Sequence, residues 1–327
     1  MVSVRIKLRL TLQRLQEEFG YQMLKNARDA QETGKQIFGL SVPYILDGSD
    51  VRANLSEETN IETLGNYDFK NDIVRIFHKR IHSFCKMYGM NFDAAFLHVF
   101  CHEVGHSKEV RIFEEAGIFP YRFNVFNFGC HIKIDSQIYD LNSIRIGGRM
   151  FYELFMFGIQ DYCVNRKIQE FGIRNPLSRT RFLNLPRIQE NELTEAQRHE
   201  LVRRSLLLLP YNIDAYTNGG LTTAEMNVLE EFHEKLVGKK WKLAFSIMKD
   251  LEFGAAEKYV SVLCRLFESI LDLHVFQRKE KSSSLFARYK IIPKFWKKSS
   301  YRVFCVSPKD IGKEAEQMFH WLDSAEK

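Results

Sequence analysis

The segment that most constrains this chain is His102-Glu103-Val104-Gly105-His106. It follows an apolar stretch that begins just after Asn91 and Asp93, two residue types that commonly cap helices. The sequence therefore predicts a helix from this point to about Glu115. Positions four apart lie on one face of a helix, so the two histidines would present their imidazoles side by side. Glu103 would lie next to that face.

Two histidines on one helix face with an adjacent glutamate indicate a metal site. A catalytic zinc site takes three protein ligands and leaves the fourth position to water, whose pKa falls to about 7. We therefore expect Zn²⁺, with His102 and His106 as two of its ligands. Glu103 is the expected catalytic base, which takes a proton from the water. The uncharged residues on either side of the motif would hold the ion in a low-dielectric pocket.

Gly105 lies between the two histidines. A glycine inside a helix costs about 0.5–1 kcal/mol relative to alanine, so its presence indicates a packing or functional reason. We expect another segment, or a substrate backbone, to approach the helix closely at this position. His98, one turn before His102, is interpreted as a packing or hydrogen-bonding residue and not as a ligand.

The third metal ligand has to come from another part of the chain. In the extended form of the motif a glycine and a third histidine would follow, but Glu109 and Ile112 occupy those positions, which excludes that class. A second helix, predicted from about Arg149 to Phe171, carries two acids on its apolar stripe. Asp161 is the favoured ligand, and Glu153, about 12 Å away along the helix axis, is the alternative. A buried hydrogen bond or salt bridge would also explain an acid that points inward.

The chain resembles the gluzincin-like metallopeptidases through two segments, the 102–106 motif and Asp161-Tyr162-Cys163-Val164-Asn165. In that family a His-Glu-x-x-His helix is followed by a helix with an acidic ligand and, four residues later, Asp or Asn. The second segment also looks like the Asp-x-x-Val-Asn segment of metallopeptidases of bacteria and archaea. The resemblance covers about residues 92 to 170. The family ligand is more often Glu than Asp, and the gap between the motifs is long here.

The resemblance implies a zincin-like fold and the hydrolysis of peptide bonds. It also implies that His102, His106 and Asp161 bind the metal and that Glu103 is the base. Asn165 would then be a residue that orients one of the two histidines through a hydrogen bond.

Hydrolysis through a tetrahedral intermediate usually needs a hydrogen-bond donor besides the metal. Four side chains are candidates for this role, and for each the alternative is an ordinary half-buried side chain: His131, Tyr152, Tyr162 and Tyr211. Aromatic and β-branched residues from Phe123 to Ile146 predict one or two strands or a hairpin, whose edge could accept an extended peptide.

The whole pattern predicts an α+β protein that is mostly α-helical, with a zincin-like core, a small β-sheet and an additional helical region towards the C-terminus. We divide the chain into a catalytic domain with an N-terminal helix (1–175), a helical domain (176–277) and a basic segment (278–327). Further helices are predicted from Met1 to about Gly34, Asn71 to Met87, Thr194 to Leu209, Thr223 to Leu236, Lys240 to Leu251 and Ala255 to Phe276.

The composition is that of a globular protein, with 45% hydrophobic and 27% charged residues among 327. The six cysteines show no spacing typical of metal knuckles or redox pairs. No secretory signal is evident, and no stretch approaches the roughly 20 apolar residues that a membrane span needs. We therefore expect a soluble, cytoplasmic protein with no membrane partner.

The charge is mildly basic, with a net value of +6 and a pI near 8.9. Residues 278–302 hold nine lysines and arginines and a single acid, Glu280. This pattern favours a solvated basic face. Binding of nucleic acid is the alternative, because aromatic residues among the cations could stack on bases.

Three functions fit these observations. The first is a zinc-dependent metallopeptidase that hydrolyses a peptide or protein substrate. The second is a regulatory or interaction protein that keeps the metallopeptidase fold without catalysis. The third is a nucleic-acid-associated factor that uses the basic segment at 278–302.

Overall fold

The computed structural model describes part of the chain. Contacts group the chain into one unit from Met1 to Pro293 and a second from Lys294 to Lys327. The second unit lies wholly outside the described residues, and of the basic segment 278–302 only Tyr289–Pro293 is described. The described residues are 22–48, 63–116, 124–125, 131–134, 137–140, 148–178, 180, 193–271, 273–277 and 289–293.

Helices dominate the described residues and small sheets complete them, in agreement with the predicted mostly helical α+β class. The zincin-like core and the three domain boundaries stay predictions. No described helix combines the length and the apolar character that crossing a membrane requires.

Helix α1 covers residues 22–38, and the earlier part of the predicted N-terminal helix lies outside the described residues. The predicted stop at Gly34 is wrong. This glycine lies inside the helix, where an added Cβ would be 3.3 Å from Val104. The helix ends at Phe38 instead, and the φ of 72° at the next residue, Gly39, is the left-handed conformation that glycine adopts without strain. Gly34 therefore serves the close packing of α1 on the motif helix.

A three-stranded sheet packs against the motif helix. Strand β3 (Ile73–Phe77) is its centre, with β1 (Tyr44–Asp47) parallel on one side and β2 (Gly65–Asp68) antiparallel on the other. The prediction of a helix from Asn71 is therefore wrong for its first part. Buried residues alternate with less buried ones along β3, which is the period of a strand, and α2 begins only at His78 and ends at Tyr88.

The predicted strand region at 123–146 contains a hairpin. Strand β5 (His131–Ile134) pairs antiparallel with β6 (Gln137–Asp140), which confirms the prediction. Strand β4 (Asn124–Val125) lies in a different sheet, at the side of β8 (Tyr289–Pro293).

Helix α4 (Gly148–Glu170) matches the helix predicted from about Arg149 to Phe171. Capping boxes at Thr194 and Thr222 begin two of the later helices. The helix predicted from Ala255 to Phe276 is wrong in its last part, because residues from Leu273 form strand β7, which pairs with β8. The later elements are α5 (Glu195–Leu207), α6 (Leu209–Asn218), α7 (Thr223–Val237), α8 (Lys240–Met248), α9 (Ala256–Ser269) and β7 (Leu273–Gln277).

Two hydrophobic cores form, and α4 contributes to both. The first core joins α1, the three-stranded sheet, α2 and the motif helix, and it takes Val164 and Ile168 from α4. The second core joins the helices from α5 onward, and it takes Ile159 and Cys163 from α4. Asp161 therefore lies on the helix that separates the two cores.

Candidate metal centre

The motif lies in the middle of α3 (Phe92–Glu115), a helix of 24 residues. Asn91 caps its start, since the Asn91 side chain accepts a hydrogen bond of 2.9 Å from the backbone N–H of Ala94. Of the two caps considered from the sequence, Asn91 is thus the one used. The helix is held at its N-terminus by this cap, from Ala95 to Val104 by the first core and at Phe113 by the second core.

Gly105 brings α4 against the motif. A Cβ added to Gly105 would lie 2.4 Å from Val164 Cγ1 and 2.9 Å from Phe38 Cζ, closer than such atoms approach. This confirms the close approach of another segment predicted from the glycine. Because Val164 is one turn beyond Asp161 on α4, the same contact brings the Asp161 carboxylate to the two histidines.

Three side-chain atoms converge beside the motif and could hold a metal ion. His102 Nε2 lies 3.0 Å from His106 Nε2 and 3.4 Å from Asp161 Oδ1, and His106 Nε2 lies 3.1 Å from the same oxygen. Tetrahedral ligands about 2.0–2.1 Å from a zinc ion would be roughly 3.3 Å apart. The side chains are 16%, 21% and 27% exposed, respectively, so solvent reaches the cluster.

Each histidine has a partner on its other ring nitrogen. His102 Nδ1 donates to Asn165 Oδ1 over 2.7 Å, and His106 Nδ1 lies 3.5 Å from Glu109 Oε2. A proton on Nδ1 leaves the Nε2 lone pair free for a metal. The two partners therefore favour the tautomers that direct both Nε2 atoms to one point. The structure brings Asn165, assigned from the resemblance, to His102.

From the sequence, Glu109 was used only to exclude the extended motif, and its place beside His106 was not predicted. Its side chain is buried beside His106, and burial raises the pKa of its carboxyl although the imidazole opposes this. A carboxylate behind a metal-binding histidine fixes the ring and increases its basicity. The signal available in the sequence was the spacing, since Glu109 lies three residues after His106 and so on a neighbouring face of the helix.

Glu103 is buried between α3 and strand β2. A Cβ added to Gly65 would lie 2.9 Å from Glu103 Cγ, so the glycine makes room for this side chain. The backbone N–H of Tyr67 donates to the carboxylate. Burial raises the pKa of Glu103, although His102 and His106 act in the opposite direction.

Hydrogen bonds within the cluster shift the pKa values of its three members. Burial and the proximity of the two imidazoles oppose protonation of the histidines, but hydrogen bonds to Asp161 outweigh this and raise the pKa of His102 and His106. Burial would favour the neutral acid at Asp161, yet the same hydrogen bonds hold the pKa of its carboxyl far below the usual range. A metal ion would displace the imidazole protons on binding.

Arg166, considered from the sequence as a salt-bridge partner of Asp161, is used elsewhere. Its guanidinium donates to the backbone carbonyls of Lys249 and Leu251 over 2.6 and 2.8 Å. Among the described residues, the groups that meet the Asp161 carboxylate are the two motif histidines. The inward position of Asp161 is thus explained by the cluster.

Of the other candidates, Tyr162 and Tyr211 are packed elsewhere, His98 adjoins the cluster, and three side chains lie outside the described residues. Tyr162 is buried with its hydroxyl hydrogen-bonded to Thr217, and the ring of Tyr211 packs on Gly158. His98 is buried beside His102 and has a side-chain hydrogen bond with Asn165, and burial lowers its pKa to about 3. The side chains of His131, Tyr152 and Glu153 lie outside the described residues.

Substitution of Gly105 by Ala is expected to lower the free energy of unfolding by about 1–2 kcal/mol. Overpacking against Val164 should lower the free energy of unfolding by about 1–3 kcal/mol, and the better helix propensity of alanine should raise it by up to about 1 kcal/mol. Urea unfolding of the metal-free protein measures the change. The matched control is the Gly105→Ala/Val164→Ala double variant, which removes the overlapping methyl group and should lose less than the two single variants together. A more stable Gly105→Ala protein would contradict the packing described here.

Comparison with known proteins adds no relative, because no protein-family model, no curated protein and no solved structure matches the chain. The likeness to gluzincin-like metallopeptidases therefore depends on the two motifs, and membership of that family stays a prediction.

Proposed function

We propose that this chain is a zinc-dependent metallopeptidase that hydrolyses peptide bonds. The observation that carries the proposal is the convergence of two imidazole nitrogens and one carboxylate oxygen within 3.4 Å of one another. Glu103 follows His102 directly on α3 and supplies a buried carboxylate beside this donor set.

The donor set fits zinc. Imidazole and carboxylate are common zinc ligands, and three protein ligands leave a coordination position open for reaction. Two histidines and one carboxylate also bind ferrous iron in oxygenases, so the donors alone do not select the metal. The His-Glu-x-x-His order favours zinc hydrolysis, because it adds a general base next to the ligands.

When bound, a zinc ion lowers the pKa of water and polarises a carbonyl group. Glu103 would accept a proton as water attacks the peptide carbonyl and would return it to the leaving amine. Its buried position suits this role, since burial raises the pKa of the carboxyl. The hydrogen bond from the backbone N–H of Tyr67 would hold the Glu103 carboxylate in place during the proton transfers.

A peptide is the favoured substrate class because a strand lies beside the base. Among the described residues, β2 is the edge strand in the order β1-β3-β2, and its Gly65 and Tyr67 both contact Glu103. Extended peptides can add to the edge of a sheet by backbone hydrogen bonds. A peptide held along β2 would have its backbone close to the carboxylate.

Metal analysis and a hydrolysis assay test the proposal. We expect close to one zinc per chain in the purified protein and cleavage of a mixed peptide library, followed by mass spectrometry. Removal of the metal with a chelator should abolish cleavage, and stoichiometric zinc should restore it. Stoichiometric iron in place of zinc, or cleavage that survives complete metal removal, would contradict the proposal.

A further inference from the structure

One buried acid connects a helix of the second core to the side chains of the metal centre by hydrogen bonds. Asp214 lies on α6, and its carboxylate accepts two hydrogen bonds, from Asn165 Nδ2 over 2.6 Å and from Asn218 Nδ2 over 2.7 Å. Asn165 in turn accepts the hydrogen bond from His102 Nδ1. A continuous chain of hydrogen bonds therefore connects α6 to a metal-binding histidine.

We propose that Asp214 is a positioning residue of the metal centre, which fixes the amide of Asn165 and thereby the tautomer of His102. The inference depends on the proposed function only in taking His102 as a metal ligand. The hydrogen bonds described for the Asp214 carboxylate come from Asn165 and Asn218 and not from a motif histidine, so its effect on the tautomer of His102 would pass through Asn165, beside the electrostatic interaction of Asp214 with His102.

The direction of the hydrogen bonds from His102 through Asn165 to Asp214 follows from which groups donate and which accept. A carboxylate has no hydrogen to donate, so Asn165 must turn its NH₂ group towards Asp214 and its carbonyl oxygen towards His102. If the amide were reversed, its oxygen would face the Asp214 carboxylate, and two acceptors would meet. With the amide oxygen on its side, His102 donates from Nδ1 and keeps its Nε2 lone pair for the metal.

Close helix packing holds Asp214 at this distance. A Cβ added to Gly158 on α4 would lie 2.8 Å from Tyr211 Cε2 and 2.9 Å from Pro210 Cβ, both on α6. The glycine thus brings α6 against α4, just as Gly105 brings α4 against α3. Asp214 is one turn beyond Tyr211, so the same contact supports the hydrogen bond to Asn165. The helices after residue 193 are in this way part of the metal centre.

Asp214 is buried and has amide donors, without a cation among the contacts described for its carboxylate. An uncompensated carboxylate in such a place has a cost, and burial raises its pKa to about 7, so the ionised, acceptor-only form is the one present above that pH. An asparagine would fill the same space without that cost. If Asp214 only filled space, asparagine would serve equally well. Only a carboxylate, which accepts but does not donate, fixes which group of Asn165 faces His102.

The Asp214→Asn substitution tests the proposal. Its amide offers both a donor and an acceptor, so Asn165 could turn either way and His102 would no longer be held in one tautomer. We expect zinc affinity, measured by competition with a chromophoric chelator, to fall about 10- to 100-fold, as for other residues behind metal ligands. Long-range ¹H–¹⁵N NMR of the metal-free protein, at a pH where the imidazoles are neutral, should change from the Nδ1–H form of His102 to a mixture.

The matched control is Asn212→Asp, the reverse exchange on the same helix. Asn212 is buried and donates to His233 Nε2 over 2.8 Å, away from the motif. Its substitution should leave the zinc affinity within about twofold and the His102 signals unchanged. Circular dichroism and unfolding of both variants show whether they are folded to the same extent.

The outcomes separate this proposal from the function proposed above. Unchanged zinc affinity and an unchanged His102 tautomer in Asp214→Asn would overturn it, as would an equal loss in Asn212→Asp. If the wild-type protein binds no zinc, the metallopeptidase proposal fails, and the NMR measurement alone decides the role of Asp214. If Asp214→Asn does not fold, the wild-type spectrum decides, because an Nε2–H form of His102 in it would exclude the proposed chain.

Discussion

The Glu103→Gln protein is expected to lose peptide hydrolysis by about 10²- to 10⁴-fold while it keeps its zinc. Glutamine has almost the same shape as glutamate but cannot take a proton from water, so the effect should be on kcat. The metal ligands stay intact, since the convergent donor atoms belong to His102, His106 and Asp161. Steady-state kinetics on a cleaved library peptide and zinc analysis of the same preparation measure the two quantities.

The matched control is Glu109→Gln, which changes a second buried glutamate of the same helix. Glu109 lies behind His106 and does not adjoin the proposed reaction space, so its loss should act mainly on zinc affinity, by about 10- to 100-fold. With zinc in excess, Glu109→Gln should retain most of the wild-type kcat. A rate in Glu103→Gln equal to that of the wild type would exclude Glu103 as the base.

The Glu103→Gln variant also separates the peptidase from an interaction protein of the same fold. A protein that works only by binding a partner should keep its activity in cells when Glu103 is replaced, because the fold and the metal ligands are retained. A peptidase should lose that activity together with hydrolysis in the test tube. The comparison requires equal amounts of both proteins in the cells.

The motif helix could be predicted from the sequence because local signals agree along it. Asn91 offers a cap, the apolar residues recur at helical spacing, and the helix begins and ends close to the predicted bounds. Ile73–Phe77 shows the limit of such reasoning. A short apolar run with one arginine is compatible with a helix and with a strand. It forms a strand because it pairs with β2, which directly precedes it, and with β1, which lies further back in the sequence.

The side chains that converge in the candidate site could be predicted from helical periodicity, whereas the side chains that hydrogen-bond to them from behind could not. Asp161 could be selected because it lies on the apolar stripe of α4, and the structure brings it to the two histidines. Asp214 could not be selected, because its contact with Asn165 depends on how closely α6 approaches α4 at Gly158. The nearest signal was the pair of polar residues Asp214 and Asn218, four positions apart in a largely buried helix.

Replacement of His106 by Ala is expected to remove zinc binding and with it the stabilisation by zinc. A ligand that binds only the folded protein raises the free energy of unfolding by about 4 kcal/mol when its free concentration is 1,000 times Kd. We expect the wild-type protein to gain about this much and the variant to gain close to none. Urea unfolding with buffered zinc, and with chelator alone as the reference, measures the difference. Using each protein without metal as its own reference removes the effect of the lost imidazole on stability.

Two further pairs of variants decide what a loss of zinc binding means. His82→Ala removes an exposed histidine of α2 and should keep the full zinc effect, since His82 lies beside Phe92 and outside the cluster. Asp161→Asn should share the loss seen in His106→Ala, whereas Glu153→Gln should not, because Asp161 is the acid that meets both imidazoles. The reverse result for the two acids would make Glu153 the third ligand. Full zinc stabilisation of His106→Ala would mean that the ion binds elsewhere, and the proposed centre would have to be abandoned.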